Sequence, residues 1–241
     1  MRESTKGIFL HFVPYADSAV IATVYTRKFG PQTFLVNGLR SAKRGSRINL
    51  FQPLYLLEME VYHKPGRNLQ RMGEVRLDVP LLRIPFDIKR SSQAIFIAEV
   101  LRKCLREEES NPDLFDFLFH AVSVLDLKEE GIANFVIVFL FRLTRYLGVF
   151  PREPEPGNSR FFDLVSASFR QTEPDHHSFM NVEISAKFAE LFRFGFAEME
   201  KLSIQSTHRT VLMSKLLEYY KIHLDMTGDI KSLAILREVF E

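Results

Sequence analysis

Tryptophan is absent from this 241-residue chain and cysteine occurs once, at Cys104. A single thiol excludes an internal disulfide and any zinc site built on several cysteines, and it suits a reducing compartment. The longest apolar run, Phe135 to Phe141, is followed at once by Arg142 and Arg145. It is far short of the roughly 20 residues needed to span a bilayer, so it reads as a buried helix rather than a membrane anchor. The first residues carry no apolar stretch of signal-peptide length, and a cytoplasmic, nucleoid-associated protein is expected.

Motifs for several chemistries are also missing. Gly38 and Gly45 are too far apart for a phosphate-binding loop, and Gly228-Asp229-Ile230-Lys231-Ser232 lacks the second glycine before its lysine. Neither Gly-x-Ser-x-Gly, His-Glu-x-x-His nor Gly-x-Gly-x-x-Gly after a strand occurs. Asp175-His176-His177 invites a metal reading, but adjacent histidines on an extended loop point apart, and no metal site is expected. Cys104 falls on the apolar face of a helical stretch, where it reads as a small buried hydrophobe. No catalytic residue and no cofactor is expected, and the chain is read as a non-enzyme.

What the sequence does contain is a division of charge. Residues 1–90 hold 15 Lys and Arg against 7 Asp and Glu, a balance of +8, whereas residues 91–241 balance at −6 within an overall +2. A half this basic has the footprint of a polyanion partner.

The same half reads as strands. Apolar and polar residues alternate at Ile8, Leu10 and Phe12, at Val20, Ala22 and Val24, and at Phe34 and Val36. A fourth run covers Leu54, Leu56 and the stretch to Val61, and a fifth Val75, Leu77 and Val79. Pro65-Gly66 marks a hairpin turn between the last two. Five short strands fit a small closed barrel of the OB type, and an SH3-like barrel nearly as well.

From Ser91 the apolar spacing becomes helical, as at Ala94, Ile97, Ala98, Leu101 and Leu105. Asn111-Pro112 supplies a helix cap followed by proline at the first helical position. A central apolar helix is expected over Ile132–Leu147, an irregular segment over 152–180, further helices near 181–202 and 207–223, and a short last one from about Ile230. The fold class is therefore α+β: an OB-type five-stranded barrel over residues 1–82, then a mostly helical domain over 83–241.

Candidate contacts to a phosphate backbone are Arg27, Lys28, Arg40, Lys43, Arg44 and Arg47, in or beside loops, with Arg67, Arg71 and Arg76 extending the track. Thr26 to Lys43 holds four basic residues and no acid. Tyr25, Tyr55 and Tyr62, with Phe29, are candidates for stacking on unpaired bases, although an aromatic on an alternating strand is as readily core. The residues alone leave open a sequence-specific duplex-binding regulator, a metal-dependent nuclease and an RNA-binding barrel.

Several short segments carry a resemblance to the bacterial RecO family. They are Gly7-Ile8 with Tyr15 and Asp17, Tyr25-Thr26-Arg27 with Gly30, Val36-x-Gly38-x-Arg40, and Phe51-Gln52-Pro53-Leu54. Further on come Leu147-Gly148 with Pro151, Tyr219-Tyr220 with His223, and Lys231-Ser232-Leu233 with Leu236. The resemblance implies an N-terminal OB barrel and a helical C-terminal domain. It also implies binding to single- and double-stranded DNA, annealing of complements, partnership with RecR, recognition of the C-terminal tail of the single-strand binding protein SSB, and assistance to RecA. The tail pocket is expected in the helical domain. Many relatives carry a four-cysteine zinc site after the Leu-Gly-x-x-Pro segment; residues 152–180 contain no cysteine, so a metal-free segment is expected.

Overall fold

A computed structural model describes residues 2–15, 19–37, 47–105, 109–157 and 159–240, with the Arg47 side chain also outside the description. Five strands, β1 (Arg2–Pro14), β2 (Val20–Thr26), β3 (Gly30–Val36), β4 (Leu56–Tyr62) and β5 (Gln70–Val79), close into a barrel in the order β1-β2-β3-β5-β4. All pairings are antiparallel except β3 with β5, which run parallel through Phe34↔Gln70 and Leu35↔Arg71. This is the OB-type arrangement.

Alternation explains the core. Val20, Ala22, Val24, Phe34 and Val36 point inward with Phe9, Phe51, Leu57, Met59 and Val61. β1 departs from the expected pattern, because a register shift between Phe9 and His11 changes its parity. Phe9 and Phe12 therefore face the barrel core, while Ile8 and Leu10 are buried outside that cluster on the strand against which α1 packs. The fourth strand begins at Leu56 rather than Leu54. Leu54 is buried at φ 65°, and its N–H donates to the Phe9 carbonyl at 2.8 Å, so it forms a turn instead of a rung.

The helices are α1 (Ile88–Cys104), α2 (Pro112–Leu127), α3 (Phe135–Tyr146), α4 (Val182–Arg193), α5 (Ser206–His223) and α6 (Ser232–Phe240). Asp87 caps α1 by accepting from Lys89 N, and Asn111 caps α2 by accepting from Leu114 N at 3.0 Å. Helix α3 is buried nearly all round, as its composition demands. The helix expected over 181–202 ends at Arg193, and the remainder holds only a 3-10 turn at Met199–Lys201. Within the segment expected to be irregular, β6 (Phe161–Asp163), β7 (Ser168–Arg170) and β8 (Phe179–Met180) form a small sheet in the order β7-β6-β8. Cys104 is half-buried at the last turn of α1.

The change from strands to helices falls between Val79 and Ile88, while packing divides the chain into Met1–Asp126 with Ile230–Leu233, and Leu127–Asp229 with Ala234–Glu241. In the first unit, the buried Asp126 carboxylate accepts from the backbone N–H groups of Leu82, Arg83 and Ile84 at 2.8–2.9 Å, fixing the chain between β5 and α1. The Arg90 guanidinium, also buried, donates to the Leu125 carbonyl. Glu99 on α1 holds residues 230–233: it accepts from Lys231 N at 3.0 Å, Ser232 N at 2.9 Å and Ser232 Oγ at 2.6 Å. Gly30 sits at φ 64° in the β2–β3 turn, where a Cβ would collide with the Glu109 carbonyl oxygen.

In the second unit, Phe141, Phe162, Phe169, Phe188 and Phe192 pack ring against ring with centroids 4.4–6.1 Å apart. Asp163 orders the small sheet. Its buried carboxylate accepts from Val165 N and Ser166 N, pairs with Arg170 at 2.9 Å and faces His176 at 3.3 Å. Burial would raise its pKa, but these hydrogen bonds and the Arg170 charge hold it below the ordinary carboxylate value.

Two outcomes follow from the first unit. Burial acts to raise the Glu99 pKa, yet its hydrogen bonds from Ser232 and Lys231 hold it below the usual value. A depressed folded pKa gives stability that is complete above the unfolded value of about 4.3 and is lost as pH falls through the folded value. Glu99→Gln is expected to cost about 1–2 kcal/mol at neutral pH, and thermal melts should show the gap to wild type narrowing between about pH 5 and pH 3. Gly30→Val is expected to destabilise the protein by about 2 kcal/mol or more, through positive φ and the collision with Glu109, read as a lower denaturation midpoint.

Candidate nucleic-acid interface

Among the described residues, five cations of the barrel face a carboxylate. Lys6 pairs with Asp78 at 2.8 Å, Arg76 with Glu58 at 2.7 Å, Lys28 with Glu3 at 3.2 Å, and Arg2 with Glu60. Arg27 pairs with Asp116 of α2 at 2.8 Å and lies over the Phe115 ring at 5.8 Å, while its carbonyl accepts from Ser110 Oγ. These contacts attach the start of α2 to the β2–β3 turn. Arg27, Lys28 and Arg76 of the expected phosphate track thus each face an acid distant in sequence, which a local charge count does not show.

A different cluster stays open. The β4–β5 hairpin forms a cleft of about 420 Å³ walled by Tyr62, Lys64, Arg67, Leu69, Gln70 and Arg71. No acid stands among these residues, and among the described residues Lys64, Arg67 and Arg71 make no ion pair. The hairpin is held from beneath. Gln70, 3% exposed, accepts from Lys64 N at 2.9 Å and donates its amide to the carbonyls of Lys64 at 2.9 Å and Arg67 at 2.8 Å. Thr33 Oγ1 donates to the Asn68 carbonyl, and His63 stacks face to face on Phe29 with centroids 4.0 Å apart.

Of the expected contacts, the structure brings Arg67, Arg71 and Tyr62 together. Arg40, Lys43, Arg44 and the Arg47 side chain lie outside the described residues. Leu35, two residues before Asn37 and the start of that stretch, is in register with Arg71. Lys64 escapes a reading of the sequence by strands and loops; counting charge within the Pro65-Gly66 turn finds it. Gln70 leaves no such signal.

The three tyrosines separate. Tyr25 is 2% exposed, its ring packs against Phe115 at 6.2 Å, and burial pushes its hydroxyl up to about 12. It is a core residue and leaves no face for a base. Tyr55, at the opposite end of β4 from Tyr62, is half-buried and lines a groove with Pro53, Ile84, Pro85, Phe86 and Ile95 that no charged side chain lines. Burial raises its pKa, with Asp126 adding to the effect. Tyr62 alone stands exposed beside cations.

Among the described residues, no group of three or more His, Cys, Asp or Glu is placed to hold a metal ion, and no helix is long and apolar enough to cross a membrane. His176, from the Asp-His-His run, faces Asp163 instead.

Comparison with known proteins agrees with this architecture. Residues 1–78 match the family model described as the Recombination protein O N terminal, and residues 85–234 the one described as its C terminal. The chain is 35% identical to the DNA repair protein RecO of Phocaeicola vulgatus over 240 residues and to that of Bacteroides fragilis over 242, covering all of both chains in each case. It is 32% identical to the RecO of Porphyromonas gingivalis over 98% of each chain. Matching models along nearly its whole length, and relatives of the same length at this identity, the chain belongs to the RecO family.

Proposed function

We propose that this protein acts in DNA repair and homologous recombination by binding DNA through the cations of the β4–β5 hairpin. The observation that carries the reading is the cleft itself: three basic side chains converge, without acidic partners, on a hairpin of an OB-type barrel. Lys and Arg on such a surface neutralise phosphates and release condensed counterions, which gives affinity without sequence preference. Arg40, Lys43, Arg44 and Arg47 extend the same charge along the sequence toward β4.

Phosphate neutralisation on one protein surface lowers the repulsion between complementary strands, so single strands are bound and annealed and the duplex product is also held. No bond forms or breaks in that process, so it needs no catalytic group or cofactor. Membership in the RecO family supports partnership with RecR, contact with the SSB tail and delivery of RecA to SSB-coated DNA. The acidic stretch after residue 90 suits protein contacts rather than DNA, since its balance of −6 repels phosphate.

Replacing Lys64, Arg67 and Arg71 together by Ala is expected to weaken binding to single strands of any sequence and to reduce the slope of log affinity against log salt by about two units, near 0.7 for each phosphate no longer neutralised. Arg40→Ala with Lys43→Ala and Arg44→Ala should act in the same direction. Arg27→Ala, which breaks a pair to Asp116, should lower thermal stability and leave the slope unchanged. Fluorescence anisotropy at several salt concentrations checks this, and wild-type affinity and slope in the hairpin variant would overturn the assignment.

A further inference from the structure

Charge alone does not account for the hairpin cleft. Its wall includes Tyr62, 47% exposed, and Leu69, 37% exposed, beside Lys64, Arg67 and Arg71. What sets the cleft apart is a half-exposed aromatic ring beside three cations, the pairing of stacking face and positive charge that suits an unpaired base and its phosphates. The Tyr62 ring is also supported. Gly73 lies near it on β5, and a Cβ built at Gly73 would be 3.4 Å from Tyr62 Cε2, so the missing side chain leaves the strand surface clear for the ring. The loop carrying Lys64 and Arg67 is fixed by the buried Gln70 amide and by Thr33. The loop backbone that carries these cations is therefore held in place before any ligand arrives. At about 420 Å³ the cleft falls within the range of roughly 300–1,000 Å³ typical of small-ligand sites.

We propose that this cleft takes one unpaired nucleotide of a DNA strand, its base against Tyr62 and Leu69 and its flanking phosphates on Lys64, Arg67 and Arg71. The inference rests on the DNA-binding reading and deepens it by naming what the hairpin prefers. An aromatic face stacks with any base, so the site carries no sequence preference. A base inside a duplex has both faces covered by its neighbours and cannot enter without leaving the stack. Single strands therefore make a stacking interaction that duplexes lack. Pairing with a complement then withdraws the base, and the annealed product is held through its phosphates alone.

The test compares the full-length protein with Tyr62→Ala, Tyr62→Phe and the Lys64, Arg67 and Arg71 triple alanine variant. Affinity is measured at one salt concentration for a labelled oligothymidylate and a blunt duplex. Tyr62→Ala is expected to weaken single-strand binding about tenfold, about 1.4 kcal/mol, while duplex affinity stays within about twofold. Tyr62→Phe keeps the ring and should bind as wild type. Irradiating a 5-iodouracil-substituted oligothymidylate bound to the wild-type protein should place the adduct on Tyr62. Equal losses for both DNAs, no loss for either, a Phe variant as weak as the Ala variant, or an adduct elsewhere would overturn the nucleotide site. Loss in the triple variant with none in Tyr62→Ala sinks this inference and spares the DNA-binding reading; no loss in either sinks both. Melting curves of the Tyr62 variants should match wild type, because the side chain is half-exposed; a lowered melt for Ala shared by Phe would assign the residue to folding and overturn the site.

Discussion

A five-stranded sheet with aromatic and β-branched residues on one face has two raw edges until its first and last members find partners. Here the two edges of β3-β2-β1-β4-β5 meet through only two residue pairs, Phe34↔Gln70 and Leu35↔Arg71, where β3 runs parallel to β5. Much is gathered at that seam. Phe34 belongs to the barrel core, Gln70 holds the β4–β5 hairpin, and Arg71 walls its cleft. The closure that buries the hydrophobic face thus also sets the position of the cations. A parallel seam of two pairs supplies little ladder hydrogen bonding, so Gln70 adds side-chain bonds across the hairpin and Thr33 adds one from β3.

Net charge describes such a molecule poorly. The +8 of the first ninety residues becomes a surface on which Arg2, Lys6, Arg27, Lys28 and Arg76 each face a carboxylate within the same unit. Exposed pairs of this kind contribute at most about 1 kcal/mol each, so stability is a weak reason for them. Their larger effect is on the field: among the described residues, acids offset five cations of the barrel, while Lys64, Arg67 and Arg71 of the hairpin keep their charge unpaired. An uncompensated cluster steers a polyanion better than the same charges spread over every face.

The sequence carried the architecture well wherever one local rule governs. Period-two alternation located the strands, the Asn111-Pro112 pair located the start of α2, and Pro65-Gly66 located the hairpin. It is silent where the deciding partner is distant. Arg27 and Arg67 look alike in a basic stretch, and only the fold brings Asp116 to one of them, 89 residues away. Tyr25 and Tyr62 both sit on alternating strands, yet α2 covers the first through Phe115 and nothing described covers the second. The small sheet over 161–180 was hidden because its strands are two or three residues long, too short for any period to show. What orders it is Asp163, whose partners lie in two turns, together with a phenylalanine cluster drawn from four separate elements.

A protein that brings complementary strands together must hold each one firmly enough to capture it and loosely enough to let pairing proceed. Phosphate contacts suit this because they persist through the change from single strand to duplex and need no rearrangement when bases pair. Tight, base-specific hydrogen bonding would oppose annealing, since every donor engaged by the protein is withheld from the complement. The hairpin offers cations and an aromatic face, with Gln70 already committed to the backbone of Lys64 and Arg67. A side chain so occupied is not available to read a base edge, which suits the sequence-independent contact proposed for the cleft.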